Sequence, residues 1–206
     1  MKLSHAIRRR RATRDFLSDP VSVAALAQLV TAASWAPSAM NEQPWHFTVI
    51  TEKALLDDIS EHSKAWLLKT ASDMSSSDHF RDTLKDPHFH LFYRAPALIV
   101  ISTPQKTQWC VEDCSLAAQN LMLAATGAGL GSCWVGFAQG WLNTDQGREC
   151  LGLPAASCVV APIIVGHPRS DAPPVPRKSP AIAWIGDLPH ANPGLSSAPS
   201  TPLLHP

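Results

Sequence analysis

Pro37 and Pro44 sit inside the stretch that most restricts this chain, W-A-P-S-A-M-N-E-Q-P-W from Trp35 to Trp45. Each lacks a backbone donor and biases the residue before it away from helix, so no regular element can run through the segment. It must be a fixed, irregular connection between the apolar-patterned helix before it and the strand that a Pro-Trp pair launches after it. Ser38, Asn41 and Gln43 put a hydroxyl and two amides on this connection, a set suited to the polar edge of a flat heterocycle. The same groups could cap their own neighbours in an ordinary loop, and on this stretch alone the ordinary loop is the default.

The chain has 206 residues, 45% of them hydrophobic, enough to bury one sizeable core. Its seventeen basic and seventeen acidic residues cancel, so bulk charge indicates neither a nucleic-acid nor an anionic-membrane partner. No run reaches the roughly 18 apolar residues of a membrane span. The amino terminus meets arginines where a signal peptide would place an apolar region, so a soluble, cytoplasmic protein is expected. Five cysteines, Cys110, Cys114, Cys133, Cys150 and Cys158, form no C-x-x-C pair and read as free thiols in a reducing compartment. Cys110 and Cys114 are spaced to share a helix face, where two small side chains turned to a core are preferred to a metal site. His79, Asp86, His88 and His90 make the other metal-like cluster. They fall in a polar, loop-like stretch without a cysteine partner, and no metal is expected there.

Along the chain, a short helical start leads into R-R-R-R-A-T-R-D-F. The arginines admit three readings: a solvated basic face, which is the default, a targeting signal, or a phosphate grip. On a continued helix Arg10 and Arg14 would share one side while Arg11 pointed elsewhere. Residues 20–36 pattern as an amphipathic helix that Ser22 can cap. Residues 46–51 read as a strand and 52–69 as a helix. Residues 71–86, rich in Ser and Asp, read as a mobile excursion or lid. A-L-I-V-I-S, residues 97–102, has the continuous apolarity of a strand buried on both faces. Residues 109–126 carry the strongest helical pattern, with Cys114, Ala117, Ala118, Leu121, Ala125 and Ala128 on one side.

The glycines that follow, G-A-G-L-G-S-C-W-V-G, imitate a dinucleotide-binding loop. That loop needs a strand before the glycines and a helix after them. Here the order is reversed, so Gly127 to Gly131 reads as a helix stop and tight turn. Gly136 offers either a bare backbone to a ligand or a bulge at a strand end. In C-V-V-A-P-I-I-V-G, residues 158–166, Pro162 implies an edge strand or a bulge. Nine of the eighteen prolines fall in the last 36 residues. An extended arm carrying Arg177 and Lys178 is expected there, followed by a disordered tail over 187–206.

Four of these stretches, in this order, resemble the nitroreductase family of FMN-dependent NAD(P)H oxidoreductases: R-R-A-T-R-D-F, A-P-S-A-M-N-E-Q-P-W-H-F, A-A-Q-N-L-M-L-A-A-T-G-A-G-L-G-S-C-W-V-G, and G-H-P with the Pro-rich arm. The likeness covers residues 1–186 as one domain. It implies an α+β fold with a central, mostly antiparallel sheet flanked by helices, and an interlocked homodimer with FMN at the interface. It further implies that Arg10, Arg11 and Arg14, with Arg177 and its neighbour Lys178, hold the FMN phosphate and polar edge. Pro37, Ser38, Ala39 and Asn41 would come from the other subunit, and Trp134, Val135 and Gly136 would run along the flavin. Where the family usually carries serine in the arginine motif this chain has Ala12, which removes a hydroxyl donor to the phosphate. The implied activity is reduction of electron-poor acceptors such as nitroaromatics or quinones by NADH or NADPH, without a catalytic side chain. The alternative is a flavin-handling protein of the same fold without nitroreductase turnover. An interaction protein that docks through the arginine run and the proline tail is a third possibility.

Overall fold

A computed structural model describes residues 1–70 and 78–185. The chain divides into two compact units, residues 1–173 and 174–206. In the second unit, residues 174–185 have no regular secondary structure and every one is exposed. The tail expected over 187–206 lies outside the described residues, as does the 71–77 part of the expected excursion.

The first unit is built on four strands, β1 (His46–Ile50), β2 (Ala97–Thr103), β3 (Gly131–Trp134) and β4 (Cys158–Gly166). They form one sheet in the order β1-β2-β4-β3, antiparallel throughout. Every residue of β2 is buried, because helices cover both faces. Ile99 and Ile101 share one buried cluster with Leu26 and Leu29 of α2 (Val23–Ser34) and Cys114, Ala117 and Leu121 of α5 (Cys110–Gly127). Leu98 and Val100 meet Leu56, Ile59 and Leu67 of α3 (Lys53–Thr70) and Leu142 of α6 (Gln139–Leu142) on the other side. The period-two alternation of a strand thus feeds two separate cores. The small buried residues of α5 let α2 lie close against it.

Local chemistry explains the element ends. The Ser22 hydroxyl accepts the Ala25 N–H at 3.2 Å and starts α2. At the far end of α5, Gly129 takes φ +76°, while Leu130 N–H donates to Ala125 O at 2.8 Å and Gly129 N–H to Thr126 O at 3.2 Å. This pair of bonds is a Schellman stop, so the glycine run does end a helix. Ala128, expected on the buried side, is exposed just beyond the stop.

Three expectations need correction. The first helix, α1 (Leu3–Arg9), ends one residue before Arg10, so Arg10 and Arg14 do not share a helix face. The 71–86 stretch holds a helix, α4 (Asp78–Lys85), whose Leu84 is 1% exposed and so packs into the core. Pro162 lies in an interior strand. The extra residue of the β2–β4 ladder is Val160, between the Ile101–Ala161 and Ser102–Val159 pairs. Pro162 is tolerated because its missing donor points past the end of β3. Val135 N–H donates to Pro162 O at 2.8 Å, no N–H can be returned, and the Val135 carbonyl accepts Ala138 N–H at 3.1 Å instead. That bond opens a 3-10 turn, Gly136–Ala138, at the tip of β3.

Candidate functional site

The outer edge of β3 is where the arginine motif lies. Ala12 bridges to Ser132 in parallel, and Thr13 N–H donates to Ser132 O at 3.0 Å. The approach is so close that a Cβ built on Gly131 would stand 2.7 Å from Thr13 Cγ2 and Oγ1. Further on, Leu17 N–H donates to His167 O at 2.9 Å and Phe16 bridges to Pro168. Residues 10–17 are therefore fixed by the sheet and not by a helix.

This placement sorts the four consecutive arginines. Arg9 gives both carboxylate oxygens of Asp171 a hydrogen bond at 3.1 Å. Arg11 folds back on the end of α1, donating to Arg8 O at 2.7 Å, Arg10 O at 2.8 Å and Pro173 O at 3.1 Å. A cation at the carboxyl end of a helix is favourably placed against the helix dipole. Arg8 donates to Ser4 O at 3.2 Å. Arg10 and Arg14 pair with no carboxylate among the described residues, and both act on Cys133.

Arg14 lines a cleft of about 370 Å³ together with Tyr93, Cys133, Trp134, Val135, Gly136 and Phe137. Its guanidinium lies 5.9 Å from the Tyr93 ring centroid, a cation–π distance. Burial raises the Tyr93 phenol above its ordinary value, and Arg14 opposes it. Burial likewise pushes the Cys133 thiol up, against Arg14 and Arg10, so the thiol stays protonated at neutral pH. Gly136 is exposed, a Cβ built there meets nothing within 4 Å, and among the described residues nothing accepts its N–H. The chain's own packing therefore does not require glycine at this position.

Tyr93 was invisible as a site residue in the sequence, and its support comes from α3. Asp57, Ser60 and Lys64, spaced i, i+3, i+7, form a polar stripe on that helix. Ser60 Oγ accepts Leu91 N–H at 2.9 Å, and Lys64, 6% exposed in its side chain, donates to Phe89 O at 2.8 Å. His90 holds Asp57 Oδ1 at 3.1 Å through Nε2, while its Nδ1 accepts Phe92 N–H at 3.1 Å. These ties hold Tyr93 and Arg94 at φ +52° and +53°, a left-handed conformation costly for side-chain-bearing residues.

Pro37, Ser38, Ala39 and Asn41 stand elsewhere. Ser38 Oγ accepts Gln43 N–H at 2.9 Å, and Asn41 Oδ1 accepts Gln43 Nε2–H at 3.2 Å. Part of this polar set thus serves the loop itself. Ala39 N–H donates to Oδ1 of the buried Asp113 on α5 at 2.9 Å. Met40, Asn41 and Gln43 have φ of +51°, +57° and +49°, so the loop holds a strained shape. It feeds β1, at the opposite sheet edge from β3. Three strand spacings, about 14 Å, separate the two edges, and this loop contributes nothing to the walls of the Arg14 cleft. Arg177 and Lys178 are exposed in the second unit.

Among the described residues no helix is long and apolar enough to cross a membrane, and no three His, Cys, Asp or Glu side chains converge as a metal site.

The model of the "Nitroreductase family" matches residues 7–167. A protein of Ectopseudomonas oleovorans, described as nitrobenzene nitroreductase, is 27% identical over 200 residues, 81% of this chain and 87% of its own. A 5,6-dimethylbenzimidazole synthase of Rhodospirillum rubrum is 26% identical, covering 88% of each chain. The crystal structure of a nitroreductase with bound FMN from Desulfitobacterium hafniense superimposes with a TM-score of 0.77 at 26% identity, covering 90% of this chain and all of that one.

Proposed function

The chain belongs to the nitroreductase family, and on that premise we propose that it is a homodimeric FMN-dependent oxidoreductase that takes electrons from NADH or NADPH and passes them to an electron-poor acceptor such as a nitroaromatic or quinone. The observation that carries the proposal is the Arg14 cleft. Arg14 lines it, Arg10 acts with Arg14 on the Cys133 at its wall, neither arginine pairs with a carboxylate among the described residues, and at its tip is a glycine whose missing side chain leaves space the chain does not fill.

These residues fit FMN. A phosphate dianion takes forked, permanently charged donors, which Arg10 and Arg14 supply, each charged hydrogen bond contributing about 1.5–3 kcal/mol. Arg11 holds the end of α1 and so fixes the backbone from which Arg10 departs. Ala12 offers no hydroxyl, so the phosphate load falls on the arginines and on backbone N–H groups, with Arg177 and Lys178 of the arm as further cations. Trp134 and Val135 wall the cleft, and the Gly136 N–H is a donor for the flavin ring. When bound, FMN supplies hydride transfer in two half-reactions, first from the nicotinamide and then to the acceptor. The chain's part is to bind, orient and keep the approach to the ring open.

A second copy completes the site. Pro37, Ser38, Ala39 and Asn41 lie at the far edge of the sheet and reach the Arg14 cleft only from another subunit. The apolar side chains left exposed around that loop and on α5 support this, with Trp35 82%, Met40 91% and Val111 50% exposed.

The second reading is a flavin-handling protein of the same fold without nitroreductase turnover. The similarity to a 5,6-dimethylbenzimidazole synthase favours keeping it. The visible absorption spectrum of the purified protein, followed anaerobically on adding NADH or NADPH and then a quinone or nitroaromatic, separates the two. Bleaching and recovery are expected. A bound flavin that NAD(P)H fails to bleach selects the second reading, and a protein that stays colourless after incubation with FMN refutes both.

A further inference from the structure

A second cleft, of about 560 Å³, opens between the start of α2, the start of α3 and the turn at Arg94 to Pro96. Its walls are largely apolar, from Pro20, Val21, Leu56 and Pro96, and its charges are few. Lys53 ion-pairs with Asp57, and Asp57 also accepts from His90 Nε2. Because His90 Nδ1 already accepts the Phe92 N–H, the ring is neutral with its proton on Nε2. Lys53 and Asp57 cancel and His90 adds nothing, so Arg94 leaves the cleft with one positive charge. Arg94 is exposed and pairs with no carboxylate among the described residues. It is also held at φ +53°, the strained conformation that turns Tyr93 to one cleft and Arg94 to the other.

We propose that this cleft binds a small aromatic carboxylate, its carboxylate on the Arg94 guanidinium and its ring against Val21, Leu56 and Pro96. The volume is that of a small-molecule site with an apolar body and a few fixed polar groups. One planar, forked cation that pairs with no carboxylate among the described residues suits one carboxylate, which it can hold in bidentate fashion. A phosphate would ask for more donors than the single free arginine provides, and a neutral ligand would leave the Arg94 charge uncompensated beside apolar walls. The site is separate from the cleft that Arg14 lines and does not depend on flavin binding.

The test is calorimetric titration of the full chain with 2-naphthoate and, in parallel, with the neutral 2-naphthamide. The naphthoate is expected to bind at least about tenfold more tightly than the amide, and Arg94→Gln to remove that difference. Arg14→Gln is expected to leave both affinities unchanged. Val23→Trp, at a rim position 82% exposed, is expected to weaken both ligands without touching the core. Equal affinity for acid and amide, naphthoate binding that survives Arg94→Gln, loss of binding in Arg14→Gln, or no heat from naphthoate at millimolar concentration would each overturn the proposal.

Discussion

Gly131→Ala tests how the arginine motif is held. The added Cβ would stand 2.7 Å from Cγ2 and Oγ1 of Thr13 and 2.8 Å from its Cβ, closer than nonbonded carbon atoms come. Thr13 cannot swing clear by a rotamer change, since its own Cβ is one of the clashing atoms, so the 12–14 backbone must move off β3. The losses are the Thr13 N–H to Ser132 O hydrogen bond, worth about 0.5–1.5 kcal/mol, and an overpacking term of about 1–3 kcal/mol. Together they give a destabilisation of about 1.5–4.5 kcal/mol. Arg10 and Arg14 flank the displaced residue, so FMN affinity should fall as well. Urea denaturation measures the first effect, and fluorescence titration of FMN into flavin-free protein the second. Thr13→Gly removes the three nearest atoms, Cβ, Cγ2 and Oγ1, so the double variant should recover most of both losses. A Gly131→Ala protein with wild-type midpoint and FMN affinity would refute the placement of the motif on the β3 edge.

Gly136→Val is expected to do the reverse: no atom crowds its Cβ, so stability should change by under about 0.5 kcal/mol, while FMN binding and NAD(P)H-dependent bleaching weaken at least tenfold. Wild-type flavin affinity in that variant would remove Gly136 from the site. Asp113→Ala should cost about 1–3 kcal/mol, because the Ala39 N–H loses its buried acceptor. It should also raise amide exchange across residues 38–43, whereas Asp113→Asn, which keeps an oxygen, should restore protection. His90 has its pKa lowered from the ordinary 6.5, first by burial and next by Arg94 and Lys53, with Asp57 opposing. The neutral ring is therefore the folded form. Its contribution to stability is complete above pH 6.5 and is lost as pH falls toward the lowered value. Between about pH 8 and pH 5 the urea midpoint of the wild type should fall further than that of His90→Gln, and parallel curves would show that His90 does not titrate as described.

Much of the fold was legible because period and punctuation agree in this chain. The Ser22 cap, the continuous apolar run of β2 and the Gly129 stop each follow from one or two residues whose physics is local. What escaped was tertiary. Nothing local stops α1 at Arg9, and it is the sheet edge, through Thr13 and Ser132, that draws the following residues out as an extended segment. Residues 78–85 read as part of a mobile excursion because Ser and Asp crowd the stretch, and the burial of Leu84 in the core is a tertiary fact that no local residue announces. In the site, Trp134 to Gly136 could be named from their motif, but Tyr93 could not. The signal that places it is the Asp57, Ser60, Lys64 stripe on a helix 29 to 36 residues earlier in the chain, and such a stripe ordinarily faces water. Four arginines in a row carry no local mark of which are structural, and the positions of Asp171 and Pro173 assign Arg9 and Arg11 to that role.

The proline inside β4 has a consequence for folding fidelity. A four-residue strand such as β3 has few side chains with which to reject an incorrect alignment. Sliding β3 by two residues would keep every side chain on its proper face, so hydrophobic pattern cannot penalise it. In that alignment Pro162 would stand opposite Cys133 instead of Val135, inside the ladder, and a carbonyl in the buried interior would go without its donor. The cost, about 1–3 kcal/mol for a buried unpaired group, falls on the slipped pairing alone. A residue that cannot donate to its own central strand thereby makes the misaligned sheet the less stable one, and keeps the tip of β3 from drifting away from the cleft it carries.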